Sequence, residues 1–435
     1  MLQRNTEVSI WGKDLPGTEI TISGSWGMKE QTTADKDGKW QLSIATTNPG
    51  GPYSLSVEGS KTIYIDNILM GEVWLCSGQS NMEMPVKGLT NQPINESNET
   101  ILHSRNQEIR YFEVEKNTSL TPLNDVVGKW KIAEPSTVKD FSAVAYFFGK
   151  KLYDLIHLPL GLIETSWGGS SAEAWTDKET LQNFPEIIIP DKIEKDMAVQ
   201  RTPTLLYNAM IHPLAKYTIK GAIWYQGESN RLAAEQYKKL FPAMINAWRQ
   251  DWEQGDFPFY FVQIAPFGYG NGNAGFIREA QLYSYQNVEN TGIVITLDIG
   301  DCDYIHPRKK REVGERLAYW ALAKDYGIDG FVYSGPLYKE MEITEDGKIN
   351  ISFDYAPNGL SSFGKELTGF EIAGNDKVFH PARVIINRNR TITVWSEKVP
   401  QPVSVRYAFS SCPEATLFNI EGLPASSFRT DNWEK

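Results

Sequence analysis

Three residues of this sequence have side chains that could together cleave an ester bond. Ser80 offers a hydroxyl group and lies in the block Gly78-Gln79-Ser80-Asn81-Met82. The block directly follows residues 72–76, a short apolar segment with β-branched and aromatic side chains, which predicts a buried strand. Because open α/β sheets bind ligands at the carboxyl ends of their strands, Ser80 is our candidate nucleophile. In a second interpretation, Ser80 or Ser77 only caps the following helix.

The base that such a serine needs is predicted to be His306. The other four histidines have structural interpretations, because they lie in a polar segment, at a helix end, inside a helix or in the C-terminal β region: His103, His157, His212 and His380. Pro307 restricts His306 to an extended backbone and suits the first position of a helix. The positive end of that helix disfavours the imidazolium, and a neutral imidazole near pH 7 is what a general base requires.

A carboxylate three residues before the histidine could complete this set. A turn of that spacing can bring Asp303 to the Nδ1–H of His306, where it would fix the tautomer and stabilise the charged ring. Asp298 and Asp301 are alternatives for the same role. The sequence therefore predicts that activity rises with pH around the pKa of the histidine, and it leaves the direction of any pKa shift open.

The elements that must position these residues alternate between strands and helices over residues 66–325. This pattern predicts an α/β domain with a doubly wound, largely parallel sheet of about five strands. Residues 1–65 and 326–435 alternate apolar and polar residues between turns rich in Gly, Pro and Asp, which predicts a β-sandwich-like domain and a C-terminal β domain. We therefore expect three consecutive domains, with each chemical block at the end of a strand of the central one.

Three blocks of the sequence together resemble the sialate O-acetylesterase family of SGNH-type carbohydrate esterases. They are Gly78–Met82, Trp224-Tyr225-Gln226-Gly227-Glu228-Ser229-Asn230 and Asp303-Tyr304-Ile305-His306-Pro307, in the order of the family. The resemblance implies a three-layer SGNH-hydrolase-like domain and release of acetate through an acetyl-Ser80 intermediate, without a metal or cofactor. It also favours Asp303, in the D-x-x-H block, over the two alternative carboxylates.

The oxyanion hole is predicted from backbone and amide N–H groups. The Ser80 backbone N–H is one donor, and the Trp167-Gly168-Gly169-Ser170 loop offers a glycine N–H, which the resemblance places at Gly169. The wider hydrolase group uses an asparagine side chain in the block at 226–230. This sequence has Gln226, Glu228 and Asn230 there instead. We favour the Gln226 amide, because a carboxylate at Glu228 would repel the oxyanion.

Several residues beside these blocks are candidates for substrate contact. Glu228 could hold its loop by accepting backbone N–H bonds or be a plain structural acid, and Asn230 lies in the same block. Arg231 and Arg308 could each meet a substrate carboxylate, or be solvated surface residues. The aromatic residues near the blocks could contact a sugar or pack in the core: Trp167, Trp175, Trp224 and Tyr225.

Composition excludes other classes of partner. The formal net charge is −11 and no long basic run occurs, so nucleic acid and anionic membranes are unexpected partners. No apolar run is long enough to span a membrane. The three cysteines have no metal-ligand spacing, and we expect Cys76 to be a buried small hydrophobe. The N-terminus lacks the apolar core of a signal peptide and begins in a predicted strand, so we expect that a leader has been removed. The family resemblance implies a periplasmic or secreted protein.

These observations predict a carbohydrate O-acetylesterase, and the resemblance implies O-acetylated sialic acids as substrates. An acetylesterase for acetylated xylan or another plant polysaccharide is the alternative enzyme, because that chemistry uses the same blocks. A non-catalytic carbohydrate-binding protein on an esterase fold is the alternative of another class. The presence of Ser80, Asp303 and His306 argues against it.

Overall fold

The computed structural model describes residues 1–433, which form two compact units that alternate along the chain. The first unit contains residues 1–88, 96–224 and 243–259, and the second contains residues 89–95, 225–242 and the described residues from Tyr260 onward. This division differs from the three consecutive domains expected above. That domain organisation stays a prediction.

The first unit contains the sheet that carries Ser80. Its strands lie in the order Gly221–Tyr225, Thr62–Gly78, Leu160–Ser166, Asn106–Glu113 and Trp130–Ala133. Leu160–Ser166 pairs in parallel with the strands on both of its sides, while Trp130–Ala133 is antiparallel at the edge. Strand Leu160–Ser166 is buried along its whole length, as expected for a parallel strand covered on both faces. This confirms the predicted α/β arrangement with a largely parallel sheet.

Strand Thr62–Gly78 is longer than the sequence predicts. It runs for 17 residues, exposed at Thr62–Asn67 and buried from Ile68 to Gly78. Its first part pairs antiparallel with Gly50–Glu58, and its second part pairs in parallel with Leu160–Ser166. One continuous strand therefore connects the N-terminal β region to the sheet that ends at Ser80, and the predicted boundary between residues 65 and 66 falls inside it.

The N-terminal β region consists of short antiparallel strands around a small core. The expected strands are present as Glu7–Lys13, Glu19–Gly24, Lys39–Ala45 and Gly50–Glu58, and the structure adds Leu2–Gln3 and Lys29–Thr33. Glu7–Lys13 pairs with Lys39–Ala45, while Glu19–Gly24 pairs with Lys29–Thr33 and Gly50–Glu58. The inward side chains form the core: Val8, Ile20, Ile22, Ile44, Leu55, Val57 and Ile68.

The helices of the first unit are mostly short. Its α-helices are Ser80–Glu83, Ser97–Leu102, Pro135–Val138, Ala143–Ile156 and Lys178–Leu181. Its 3₁₀ turns are Ala172–Trp175, Val199–Arg201 and His212–Leu214, and Tyr207–Ile211 is a π-helical turn. The π-helical turn Tyr207–Ile211 passes directly into the 3₁₀ turn His212–Leu214, which contains Pro213. Proline cannot donate a helical hydrogen bond, which limits a regular helix here.

The second unit contains the remaining strands and helices of the α/β part. They are the 3₁₀ segment Glu228–Ala233, strands Phe259–Val262 and Thr291–Val294, which pair with each other, and helices Gly275–Asn287 and Lys310–Lys324. Helix Ala234–Trp252 begins in this unit, and its residues from Ala243 onward belong to the first. The last helix begins at Lys310, three residues after Pro307, so the prediction that Pro307 opens it is wrong.

The C-terminal part of the second unit is all β. One four-stranded sheet has the order Leu337–Ile343, Ile349–Asp354, Ile392–Trp395 and Arg383–Ile386. A second has the order Phe379–Pro381, Phe370–Ala373, Ser404–Tyr407 and Phe428–Arg429, and Leu360–Ser361 pairs with Phe418–Asn419. Residues 330–333, at the start of this region, have no regular secondary structure.

Candidate active site

Ser80 is accessible at the end of a buried segment. Every residue from Ile68 to Gln79 is buried, and Ser80 is the first that is partly exposed. Gly78 has a φ of +143°, a conformation that favours glycine, and Gln79 is extended. The chain then turns into helix Ser80–Glu83, in which the Met84 N–H donates to the Ser80 carbonyl at 2.9 Å. The backbone thus presents the hydroxyl side chain directly after the strand, as predicted.

The glycine loop after the neighbouring strand packs against Ser80. A Cβ atom on Gly168 would lie 3.4 Å from the Ser80 Cβ. The loop is tied to the first strand because the Trp167 N–H donates to the Gly78 carbonyl at 3.1 Å. Gly169 has a φ of +74°, so the loop needs a residue without Cβ strain at this point. The parallel pairing of the two strands therefore brings Ser80 and the predicted Gly169 donor into one region of the first unit.

Glu83 fixes the same loop from the helix side. Its carboxylate accepts the N–H of Gly168, and Lys116 Nζ pairs with it at 2.5 Å. Lys116 Nζ also lies 5.5 Å from the centre of the Trp167 ring. The Gly168 N–H is therefore engaged by Glu83, and the role of Gly169 as the donor to a substrate stays a prediction.

The block at 226–230 is buried in the second unit. Gln226 Nε2 donates to Asn230 Oδ1 at 2.7 Å, and the Gln226 carbonyl accepts from Gln281 Nε2 at 3.0 Å. Gln226 is fully buried, and Glu228 and Asn230 are each 4% exposed. Gly227 has a φ of +153°, and a side chain there would meet Ile264 and Gln281. Hydrogen bonds and burial therefore hold the block in place, and one N–H of the Gln226 amide is engaged by Asn230.

His306 has an amide as its Nδ1 partner. The side-chain oxygen of Gln92 lies in hydrogen-bond contact with His306 Nδ1. An amide oxygen can only accept, so Nδ1 carries the hydrogen and the neutral ring has its lone pair on Nε2. Gln92 is held in turn by two main-chain bonds with Leu89, each 2.9 Å, and the Asn95 N–H donates to the Arg308 carbonyl at 3.0 Å. The segment 89–95 therefore fixes the tautomer that a general base needs.

Burial and a lysine keep the His306 ring neutral. The pKa of His306 is lowered to about 4, first by burial and then by the charge of Lys310. Burial also lowers the pKa of Lys310 to about 7, against the opposing effect of Glu228. We expected the positive end of a helix beginning at Pro307 to disfavour the charged ring. In the structure, the charge of Lys310, the first residue of that helix, has this effect.

The three carboxylates considered for the acid do not contact the His306 ring. Asp298 forms a two-point pair with Arg316, at 2.7 and 2.6 Å. Asp301 Oδ2 pairs with Arg308 at 3.2 Å. Asp303 is exposed, and its backbone N–H donates to Asp301 at 3.0 Å. Within residues 1–433, the Asp303 carboxylate has no hydrogen bond or ion pair, so its role as the acid stays a prediction.

Both predicted arginines have partners inside the second unit. Arg308 is exposed and paired with Asp301, as above. Arg231 donates to Asn271 Oδ1 at 2.6 Å, and its guanidinium carbon lies 4.5 Å from the centre of the Tyr269 ring. Reading a substrate carboxylate would require each side chain to share or give up these contacts. The carboxylate-binding role of both arginines stays a prediction.

The aromatic residues beside the blocks divide into core and accessible positions. Trp175, Trp224 and Tyr225 are fully buried, and the rings of Trp175 and Trp224 pack edge to face. This supports the core interpretation for all three. Trp167 is partly exposed on the glycine loop. Trp167 is therefore the one of these four aromatic residues whose ring a sugar could reach in this structure.

The structure contains a disulfide near His306 whose two cysteines could not be identified from the sequence. Cys302 and Cys412 are bonded, with their Cα atoms 5.7 Å apart and 110 residues between them along the chain. Cys302 lies four residues before His306, so the bond attaches the histidine loop to the C-terminal β region within the second unit. Cys76 is buried and unpaired, which confirms that prediction. The sequence also did not identify Gln92 as a site residue. It lies in a polar stretch, residues 91–100, for which no helix or strand is predicted.

Residues 1–433 contain neither a cluster of potential metal ligands nor a helix that could span a membrane. No group of three or more His, Cys, Asp or Glu side chains there has a geometry that could hold a metal ion. No helix in the same range is both long and apolar enough to cross a membrane.

Comparison with known proteins gives consistent matches. Residues 70–323 match the family described as carbohydrate esterase, sialic acid-specific acetylesterase. Mouse sialate O-acetylesterase is 32% identical over 411 residues, which cover 79% of this chain and 75% of that protein, and the human enzyme is 32% identical over 386 residues. A crystal structure of a carbohydrate acetylesterase from Xanthomonas citri superposes with a TM-score of 0.91 at 36% identity, covering 99% of this chain and 97% of the other.

These matches agree with the three sequence blocks and with the α/β sheet that ends at Ser80. The family match covers more than half of the chain, and the Xanthomonas structure covers nearly all of it. The chain therefore belongs to the sialic acid-specific acetylesterase family of carbohydrate esterases, and it is a carbohydrate O-acetylesterase.

Proposed function

We propose that this esterase removes acetyl groups from O-acetylated sialic acids, with Ser80 as nucleophile and His306 as general base. The observation that carries the assignment of Ser80 is its packing against the glycine loop. A serine that only capped a helix would need no such loop, and here the Gly168 position lies 3.4 Å from the Ser80 Cβ. Nor does the residue before helix Ser80–Glu83 make a side-chain cap bond. The names of the mammalian relatives support the choice of sugar.

The reaction has two acyl-transfer steps. In the first, Ser80 Oγ attacks the acetyl carbonyl carbon and its proton passes to His306 Nε2. The tetrahedral intermediate collapses, the sugar oxygen leaves, and it takes the proton from the imidazolium. In the second, His306 removes a proton from water, which attacks acetyl-Ser80. Acetate leaves, and the proton returns to Ser80 Oγ.

The oxyanion is proposed to be stabilised by three donors. They are the Ser80 backbone N–H, the Gly169 backbone N–H and the Gln226 amide. Asn230 positions that amide through the 2.7 Å bond from Gln226 Nε2. Glu228 acts on Lys310 electrostatically and so supports the side chain that helps to keep His306 neutral.

Replacement of Ser80 tests the nucleophile. Ser80→Ala should lower kcat by several orders of magnitude on any acetyl ester, because removing the nucleophile of a triad typically has that effect. Acetate release and the circular dichroism spectrum are measured together, to show that the fold is kept. Ser77→Ala is the matched control, because Ser77 is buried and donates to the Thr165 carbonyl at 2.9 Å. If Ser80→Ala keeps more than a tenth of the activity, Ser80 is not the nucleophile.

A substrate panel tests the sugar. Acetate release is compared between O-acetylated sialic acids and acetylated xylo-oligosaccharides, with the Ser80→Ala variant as a blank. We expect higher kcat/KM on the sialic acids. A preference for the neutral oligosaccharides would replace the sialate assignment with the polysaccharide esterase. Binding of sugars without acetate release would favour the non-catalytic alternative.

We further propose that the protein works in the periplasm or outside the cell. The Cys302–Cys412 disulfide supports this, because such bonds persist in oxidising compartments and are rare in the cytosol. Cell fractionation followed by immunodetection checks the location. Recovery of the protein only from the cytosolic fraction, with free Cys302 and Cys412, would contradict the proposal.

A further inference from the structure

Arg201, at the end of the 3₁₀ turn Val199–Arg201, is hydrogen-bonded to the glycine loop that packs against Ser80. Its Nε donates to the Gly169 carbonyl at 3.0 Å, and its own carbonyl accepts from Ser171 Oγ at 3.1 Å. Gly169 is adjacent to Gly168, whose Cβ position would contact Ser80. All of these residues belong to the first unit. Two bonds thus fix the Arg201 backbone and side chain beside the predicted oxyanion donor.

The guanidinium of Arg201 differs from the other cations near the site residues. Lys116 is paired with Glu83, Arg308 is paired with Asp301, and Arg231 is bonded to Asn271. Arg201 is exposed, and within residues 1–433 no carboxylate pairs with it and its two terminal nitrogens make no hydrogen bond. Because only Nε is engaged, the end of the guanidinium presents a pair of N–H groups, the geometry that binds a carboxylate at two points.

We propose that Arg201 is the specificity-determining residue that binds the substrate carboxylate. The inference rests on the proposed action on O-acetylated sialic acids, which carry a carboxylate and an acetyl ester on one sugar. The chain has a net charge of −11, which disfavours an anionic substrate at long range, so a local cation is needed. Arg201 supplies it at the loop that contacts the nucleophile.

The test varies the charge on both partners. Arg201→Gln removes the charge but keeps an N–H donor for the Gly169 carbonyl. The substrates are one O-acetylated sialic acid as the free acid, its primary carboxamide, and 4-nitrophenyl acetate. Arg388→Gln, at an exposed arginine after strand Arg383–Ile386, controls for the change in net charge. The rate of acetate release gives kcat/KM for each combination of enzyme variant and substrate.

We expect the parent enzyme to prefer the acid to the carboxamide by about 10- to 150-fold, the effect of one hydrogen bond to a charged group. Arg201→Gln should bring this ratio close to one and leave the rates on the carboxamide and on 4-nitrophenyl acetate unchanged. Arg388→Gln should keep the preference.

Three results overturn the inference and leave the proposed substrate in place. If Arg201→Gln keeps the preference for the acid, another group binds the carboxylate. If it lowers all three rates equally, Arg201 only supports the loop. If the parent enzyme cleaves acid and carboxamide equally, the sialate function stands and the role of Arg201 does not. Cleavage of 4-nitrophenyl acetate without cleavage of either sialic acid would instead reject the proposed substrate, and the inference with it.

Discussion

At the scale of single residues, the orientation of His306 depends on Gln92. The described contacts place an amide oxygen on Nδ1, whereas the D-x-x-H block predicts the Asp303 carboxylate there. From the geometry we expect Gln92→Ala to lower kcat/KM by about 2- to 12-fold, the effect of one neutral hydrogen bond, and to exceed Asp303→Asn. His306→Ala should be far more damaging than either. A loss of several orders of magnitude in Asp303→Asn would show that the carboxylate holds the imidazole during turnover.

The pKa of His306 predicts the acid limb of the pH profile. A base must be neutral, and burial and Lys310 lower its pKa to about 4. We therefore expect kcat/KM to be constant at neutral pH and to fall as the pH drops through about 4. Lys310→Gln removes one of the two causes, so the midpoint should move upward, toward the ordinary value of 6.5. A midpoint near 6.5 in the parent enzyme would contradict the buried, neutral ring.

At the scale of elements, strand Leu160–Ser166 carries a buried acid. Burial raises the pKa of Glu164 from 4.5 to about 8, and Ser166 donates to the same carboxyl group with its hydroxyl and N–H. The folded protein therefore binds more protons than the unfolded chain between these values. The stabilisation is complete below pH 4.5 and is lost as the pH rises through 8. Glu164→Gln should thus have a higher Tm than the parent at pH 9, by an amount that shrinks toward pH 5. A Tm difference that does not depend on pH would contradict this.

Some of these elements could be located from the sequence and others could not. Strands that end at Ser80 and Trp167 could be located because apolar segments stop at glycine and small polar residues. The start of the last helix could not, because proline suits a first helical position but does not require one, and Lys310 is a charged residue in a buried place. Gln92 could not be found either, because a polar insertion has no periodicity that shows which side chain turns inward.

At the scale of the molecule, contacts between residues far apart in the chain could not be predicted from the sequence. Three cysteines allow three possible pairs, and the 110-residue separation of Cys302 and Cys412 gives no local signal. Replacing both cysteines by alanine should lower the free energy of unfolding by about 2–4 kcal/mol, because the bond closes a long loop. Urea denaturation measures this, and the parent protein in reducing agent should behave like the variant. Equal unfolding midpoints with and without the bond would show that the noncovalent contacts of the β region suffice.

The 17-residue strand Thr62–Gly78 has a consequence for how this family can change in length. Successive residues of a strand point to opposite faces, so inserting or deleting one residue reverses every side chain beyond it. One end of this strand pairs with Gly50–Glu58, with register shifts between Gly50 and Tyr53 and between Tyr53 and Leu55, and the other end leads to Ser80. A single-residue insertion between them would turn the nucleophile away unless a bulge absorbed it. We therefore expect a change of length to be tolerated better in the loops of the N-terminal region than within this one span.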